Sequence, residues 1–403
     1  MKLKSILLTI LLTAFFHPSL LDASKKSITI WCSDKEVAGI EPIAKRYRRE
    51  NKIDVEIVIQ SEVRSKYKQA ALNKSAPDIV VGAHDWVGEF AKNGIISEIK
   101  LSNKTRETLY TVSLDGFTYE NKLYGFPYCV ESLIIYYNRK IISNPPATWE
   151  NLLMTAKKLT TGDSYGFLYA IDNDFYTNFP FIASQGAYVF KWDNGKYDIT
   201  NVGLDSPGAL SGYTFINTLV TEKIVPPSTK IGTVMNAFKN NKSAMIMDGP
   251  WNYTEYRDSI GIENLGVAKL PTLNGKKSVP FVGVRGFMIN KESGNTKNAT
   301  IFIEQYAGSK EGQIAMWKTG GRPTAHKEAS EIISNDNNAV KTMIESVNDG
   351  VAMPNVRAMS VIFSNAARII DNFKTGEISI KNSVKNGMVT IRKELSEKKA
   401  LFE

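Results

Sequence analysis

The sequence predicts an α/β protein of two lobes, each a mostly parallel sheet with helices on both faces. Three observations carry this. The first third of the chain alternates strand and helix patterns as β-α-β-α-β-α, the signature of helices crossing over a largely parallel sheet. A second α/β rhythm follows the first and runs to about Pro280. No flexible, repeated or low-complexity segment separates them, so the joint between the lobes reads as a hinge of strands.

The elements follow in order. Residues 27–32 are β-rich and carry Trp31. Val37, Ile40, Ala44 and Tyr47 recur near the helical period of 3.6. Residues 52–59 alternate as a strand, 65–72 read as a short helix, and 78–81 form a third apolar strand. Residues 84–93 follow as a helix closed by Gly94. From Gly116 the rhythm changes: residues 119–124 form a hairpin tip leading into one long strand-like run, 126–138. Asn144-Pro145-Pro146-Ala147-Thr148-Trp149-Glu150 is a loop ending at a helix start, with Thr148 as its N-cap. The tail from about Asn337 is helical, chiefly over 356–373 and 380–395.

Residues 1–23 read as a cleaved signal peptide. Lys2 and Lys4 form a basic start, residues 6–16 are apolar, and His17-Pro18 breaks the run before Leu21-Asp22-Ala23. The apolar stretch is too short to span a bilayer. No Cys stands at the cleavage point, which argues against a lipid anchor and for the periplasm of a two-membrane bacterium. The remainder of the 403 residues suffices for two or more domains. The net charge of +9 is spread along the chain, and Lys45-Arg46-Tyr47-Arg48-Arg49 reads as a solvated helix face. With no arginine-rich arm or nucleic-acid module, the charge is a bulk surface property, and nucleic acid is not an expected partner.

Enzyme signatures are sparse. His17 leaves with the signal peptide, so only His84 and His326 remain, too few for a metal cluster or a convincing Ser-His-Asp arrangement. Asn274-Gly275-Lys276-Lys277-Ser278 lacks phosphate-loop spacing, and no dinucleotide glycine pattern occurs, so no metal, cofactor or catalytic residue is expected. Cys32 and Cys129 lie in strand-like runs. They read as core thiols, although an oxidising compartment would also permit a disulfide.

What recurs is an acid at the end of an apolar strand. Asp34 follows Ile30-Trp31-Cys32, Asp85 follows the strand at 79–81, and Glu131 sits within Tyr128-Cys129-Val130-Glu131-Ser132-Leu133-Ile134. In open α/β sheets such strand ends face the ligand crevice, and clustered carboxylates suit the hydroxyl donors of a sugar. Taken alone, Asp85 reads as a helix cap and Asp34 as a loop residue beside Lys35. Glu131, in so apolar a run, needs either a salt-bridge partner or a ligand. Aromatic residues interleave with the acids: Trp86 after Asp85, Phe175-Tyr176 after Asp174, Trp251 and Tyr253 after the Gly249-Pro250 break, and Phe363 in the late helix. Pro250 should stop its strand and leave Trp251 at a domain mouth, where an indole can face a sugar ring or cap the core.

In these motifs the chain resembles the periplasmic maltose/maltodextrin-binding proteins of bacterial ABC importers (solute-binding protein family 1). The resemblance is carried by Ile28-Thr29-Ile30-Trp31, Ala76-Pro77-Asp78-Ile79-Val80, Ala83-His84-Asp85, Val130-Glu131, and Asn138 with Asn144-Pro145-Pro146. It continues in Gly186-Ala187-Tyr188-Val189-Phe190-Lys191, Asn194-Gly195-Lys196-Tyr197-Asp198-Ile199, Gly249-Pro250-Trp251, Pro280-Phe281-Val282-Gly283-Val284 and Met353-Pro354-Asn355. It implies a type II two-lobed clamp that closes on a malto-oligosaccharide and delivers it to inner-membrane permease subunits, as a monomer without catalysis. The implied lobes are residues 24–130 with 282–336, and 131–281 with 337–403. Asp34, Lys35, Asp85, Glu131 and Asp174 would supply polar contacts, and Tyr176, Trp251, Met353 and Phe363 packing ones.

Several positions depart from the family pattern. Gly82 stands where relatives place a cleft Trp, and Trp86 where they place a sugar-contacting Arg. The turn at Asp34 is one residue shorter, Asp174-Phe175-Tyr176-Thr177 matches a Glu-Pro-Tyr-Phe block loosely, and Phe363 replaces a Trp. Competing readings are the same clamp for another disaccharide such as trehalose or a non-sugar solute, and an exported glycoside hydrolase using Glu131 and Asp85.

Overall fold

The computed structural model describes residues 27–193 and 196–402. The proposed signal peptide, and Asn194-Gly195 of the motif above, lie outside them.

Two sheets organise the chain. The first runs, in spatial order, through Val351–Ala352, Phe281–Ile289, Ile79–Ala83, Ser27–Cys32 and Asp54–Ile59, with Phe126–Glu131 also pairing to Phe281–Ile289. Ser27–Cys32 pairs parallel to both of its neighbours, as the βαβ rhythm requires. The second sheet runs Leu265–Ala268, Ile134–Asn138, Ser243–Asp248, Tyr165–Tyr169.

Both sheets are mixed. Phe281–Ile289 runs antiparallel to Ile79–Ala83 and to Phe126–Glu131. In the second sheet only Ser243–Asp248 with Tyr165–Tyr169 is parallel. Helical crossovers dictate parallel pairing, and strands that reach a sheet without one are free of that rule.

The run read as one strand over 126–138 is two. Phe126–Glu131 belongs to the first sheet and Ile134–Asn138 to the second, so Ser132 and Leu133 carry the chain from sheet to sheet. Every residue in both segments is buried, which is why alternation could not reveal the break. Two hydrophobic clusters match the two sheets. Ile30, Val80, Phe126 and Phe287 belong to one; Tyr136, Phe167, Tyr169 and Ile246 belong to the other.

Local signals account for the turns. Lys52, at φ 59°, closes the helix Asp34–Asn51. That helix exposes Arg48 and Arg49 but buries Tyr47, whose hydroxyl donates to the Asn298 carbonyl at 3.3 Å. The basic face is therefore solvated around one core tyrosine. Glu120 and Asn121 both take left-handed φ values, 48° and 60°, and so join Thr118–Tyr119 to Lys122–Leu123 in a tight hairpin. Thr148 caps Trp149–Leu159 by accepting the Asn151 N–H at 3.2 Å.

Cys32 and Cys129 are separate buried thiols. Burial pushes the Cys32 thiol up to about 12 and the Cys129 thiol well above its usual value, so both are inert. Among the described residues, no helix is long and apolar enough to cross a membrane.

Candidate ligand-binding site

A cavity of about 940 Å³ opens at the carboxyl ends of the first sheet's strands. Asp34, Gln60, Glu62, Arg64, Trp86 and Arg285 are among its lining residues. Asp34 is placed there because Ser27–Cys32 ends at Ser33, whose N–H donates to Glu36 Oε2 at 2.8 Å and starts the helix.

Asp85 does not cap a helix. It follows Ile79–Ala83 and accepts from Arg64 Nη1 at 3.0 Å. Arg64 Nε also donates to Glu89 Oε2 at 3.0 Å, and Lys68 Nζ to Glu89 Oε1 at 2.6 Å. Burial raises the Glu89 carboxyl, but these two cations overcome that and hold it below the usual range. Arg64 with Lys68, and Asp85 with Glu89, are each one helical turn apart in sequence. Sequence reasoning missed Arg64, although that matched spacing was its signal.

Beneath the cavity lies a chain of buried charges. Arg285 Nη2 stands 2.6 Å from Glu36 Oε1 as an ion pair, Arg322 Nη2 stands 3.5 Å from the same oxygen, and Arg322 Nη1 donates to Glu131 Oε2 at 2.6 Å. Burial alone would raise the Glu36 carboxyl; Arg285 and Arg322 override it and hold it low. Glu131 therefore has the salt-bridge partner that its apolar setting demanded, supplied from 191 residues away. Its Cγ lies 3.3 Å from where a Cβ on Gly283 would sit, and the Tyr176 hydroxyl 3.7 Å from the same point. Glu131 and Tyr176 thus flank one glycine of the strand Phe281–Ile289.

Tyr176 begins an aromatic wall. Its ring centroid is 6.0 Å from that of Trp251 and 5.8 Å from that of Phe281, and Phe281 lies 6.4 Å from Phe363. Trp251 is half-buried and its indole folds back over Gly249, where a Cβ would fall 2.1 Å from the ring. Ser243–Asp248 stops before Pro250 as the sequence indicated. Phe281, the hub of this wall, was legible only as part of a motif.

Four further residues have partners of their own. Asp174 caps Phe175–Ala183 by accepting the Thr177 N–H at 3.1 Å, and its burial raises its carboxyl pKa. Tyr253 is 2% exposed and stacks on Trp317 at 5.5 Å, so it stands in the core and not on an open rim. Met353 is buried, and its carbonyl accepts from His84 Nε2 at 2.8 Å, while His84 Nδ1 accepts the Val284 N–H at 3.0 Å. Lys35 meets Glu255 Oε2 at 3.1 Å. Among the described residues, no group of His, Cys, Asp or Glu is arranged to hold a metal ion.

Two mixed sheets joined by a strand-to-strand crossing, with acids at the strand ends of the first, fit the class of two-lobed solute-binding proteins. The chain belongs to the family described as "Bacterial extracellular solute-binding protein", which it matches over residues 42–343. Members of that family bind solutes. The chain is 28% identical over 386 residues to the "Maltooligosaccharide ABC transporter solute-binding lipoprotein" of Streptococcus pneumoniae strain ATCC BAA-255 / R6, covering 93% of this chain and 90% of the relative. It is 26% identical over 393 residues to the "Maltodextrin-binding protein MdxE" of Bacillus subtilis strain 168, covering 93% and 91%. It is 25% identical over 389 residues to the "Galactooligosaccharide-binding protein" of the same strain, again covering 93% and 91%.

Proposed function

We propose that this chain is a periplasmic receptor, exported by a cleaved signal peptide, that captures malto-oligosaccharides and hands them to the permease subunits of an ABC importer. It binds without catalysis and acts as a monomer. The observation that carries the reading is the presence of strand-end acids, with Asp34 and Trp86 lining the cavity, Asp85 paired to Arg64 and Glu131 to Arg322, together with the aromatic wall Tyr176–Trp251–Phe281–Phe363. Carboxylates accept from sugar hydroxyls, and aromatic faces cover the C–H face of the ring. Relatives named for maltooligosaccharide and maltodextrin binding support the same ligand class.

The lobes in this reading are 24–130 with 282–336, and 131–281 with 337–403. Asp34, Lys35, Asp85, Trp86, Glu131, Tyr176, Trp251 and Phe363 contact the ligand. Asp174, Tyr253 and Met353 hold the elements that present them. A ligand gripped from both lobes binds their closed arrangement more tightly and shifts the population toward it.

Trp86 and Arg64 both line the cavity, and an indole beside a guanidinium also suits a second ligand within the same class. The galactooligosaccharide-binding relative makes that alternative concrete. Calorimetry with maltose, maltotriose and a galacto-oligosaccharide, followed by product analysis, is the test. Heat with the α-glucans and no released glucose is the expected result. Heat only with the galacto-oligosaccharide would overturn the ligand, and released monosaccharide would overturn the absence of catalysis.

A further inference from the structure

Lys35 lies in the first turn of Asp34–Asn51, a helix whose Ile40, Ile43 and Tyr47 belong to the first hydrophobic cluster. Glu255 lies in Tyr253–Ile260, whose Tyr253, Tyr256 and Ile260 belong to the second. Their charged groups meet nonetheless, Lys35 Nζ to Glu255 Oε2 at 3.1 Å.

The other carboxylate oxygen, Oε1, is bonded by Lys239 Nζ at 2.5 Å. Lys239 ends the helix Ile231–Lys239, whose Val234 and Phe238 also belong to the second cluster. One oxygen of Glu255 is thus anchored on its own side, and the second reaches across. Lys239 first, and Lys35 with it, hold the Glu255 carboxyl below the usual range, so it stays charged at neutral pH.

The surroundings bring the two sides close. Gly321 takes φ +72°, and a Cβ there would fall 2.7 Å from Thr254 Cγ2. Trp317, from the helix Lys310–Gly320, stacks on Tyr253 two residues before Glu255. The pair keeps water access, with side-chain exposures of 37% for Lys35 and 32% for Glu255, so its contribution is that of a partly screened ion pair.

We propose that Glu255 is a positioning residue for ligand capture: it fixes the Lys35 ammonium only when the two lobes are together, so that seating Lys35 and closing the clamp are one event. This rests on the clamp reading above. A contact made in one arrangement and absent from the other shifts the balance by its own free energy, and it does so with or without sugar. Glu255 itself need not touch the ligand.

The test uses the full mature chain with spin labels on Ile59→Cys and Met154→Cys. Both positions are exposed and lie on opposite clusters' elements, while Cys32 and Cys129 are buried. Interlobe distances are measured for the labelled protein and for Glu255→Gln, Lys35→Gln and their combination, first without sugar. Glu255→Gln should lower the ratio of short to long distances about two- to fivefold. Adding Lys35→Gln should open the clamp no further. Maltotriose affinity should fall by the same factor in Glu255→Gln, and Glu255→Lys should open the clamp more than Glu255→Gln does.

An unchanged distance distribution in Glu255→Gln, or sugar-free effects of the two substitutions that simply add, overturns the proposal. Failure of the unsubstituted chain to bind maltotriose would count against the ligand assignment instead. The sugar-free distances would still decide the role of Glu255.

Discussion

The indole of Trp86 lies over Gly82: a Cβ placed on Gly82 would fall 2.1 Å from Cζ3 and 2.3 Å from Cε3 of that ring. The residues at these two positions are therefore coupled. Removing the side chain at 82 makes room for an indole that arrives from four residues downstream and borders the cavity.

Gly82→Ala should consequently act through Trp86. The new methyl cannot coexist with the ring as placed, so the indole must swing away, at about 1–3 kcal/mol of stability for the overpacked site. Sugar affinity should fall as it does in Trp86→Ala, by about 1–3 kcal/mol if the indole is a stacking platform. Calorimetry on the two single variants and the double variant decides it. A double variant as weak as Trp86→Ala alone supports a shared cause, and independent losses that sum refute it.

Trp251 offers a second aromatic test with a different signature. It is half-buried, packs edge-on against Tyr176 at 63°, and folds back over Gly249. Trp251→Ala should lower maltotriose affinity by about 1–3 kcal/mol while costing far less than a core tryptophan would. Trp149, fully buried with its Nε1 donating to Ser278 Oγ at 2.9 Å, provides the contrast. Isothermal binding and urea midpoints for both variants separate the roles. Normal binding with a collapsed midpoint in Trp251→Ala would make it a core residue.

What the sequence discloses depends on how locally each feature is determined. The strands Ser27–Cys32 and Ser243–Asp248, the Thr148 cap and the stop before Pro250 are set by neighbouring residues, so they could be read directly. Asp34 and Asp85 were findable because a strand's end is itself local. Their partners are not. Arg64 reaches Asp85 over 21 residues, Arg322 reaches Glu131 over 191, and Lys35 reaches Glu255 over 220. Apart from the matched i,i+4 spacing of Arg64 with Lys68 and of Asp85 with Glu89, no spacing rule links such pairs, so the sequence showed that Glu131 needed a partner without showing which. The break at Ser132–Leu133 was hidden for another reason. Both flanking strands are buried on both faces, and hydrophobicity carries no phase there.

The Glu131–Arg322 pair gives a stability prediction that a purely ligand-facing carboxylate would not. Glu131→Gln leaves the Arg322 guanidinium, 8% exposed in its side chain, with only Glu36 at 3.5 Å to balance it. Breaking one partner of a buried pair costs about 3–5 kcal/mol, and the remaining acid places this case at the lower end. Replacing both, as Glu131→Leu with Arg322→Leu, should cost less than the two single losses combined, because neither charge is then stranded. Denaturant unfolding of the sugar-free protein measures this. A Glu131→Gln protein of unchanged stability that has lost sugar affinity would make Glu131 a ligand contact alone.

Glu36 and Asp248 should shape the acid limb of stability in opposite directions. Glu36 is buried, but Arg285 and Arg322 hold its carboxyl below the ordinary value of 4.5. Its contribution is therefore complete above that value and is lost as pH falls through the lowered one. Asp248 is shifted the other way. Burial raises its carboxyl above 3.8, despite hydrogen bonds from Asn252 and Tyr256 and from the Gly249 N–H. Its protonated form is favoured by folding, so its contribution is present at low pH and fades as pH rises through the raised value. Glu36→Gln should flatten the loss of stability below pH 4.5 and lower the plateau at neutral pH, because both arginines lose a charge partner. Asp248→Asn should leave the acid limb as steep or steeper, since the group opposing that loss is gone. Urea midpoints of the three proteins between pH 7 and pH 3 provide the comparison. An acid limb in Glu36→Gln as steep as that of the unsubstituted chain would mean that other carboxylates, such as Glu89 beneath Arg64 and Lys68, carry the acid sensitivity.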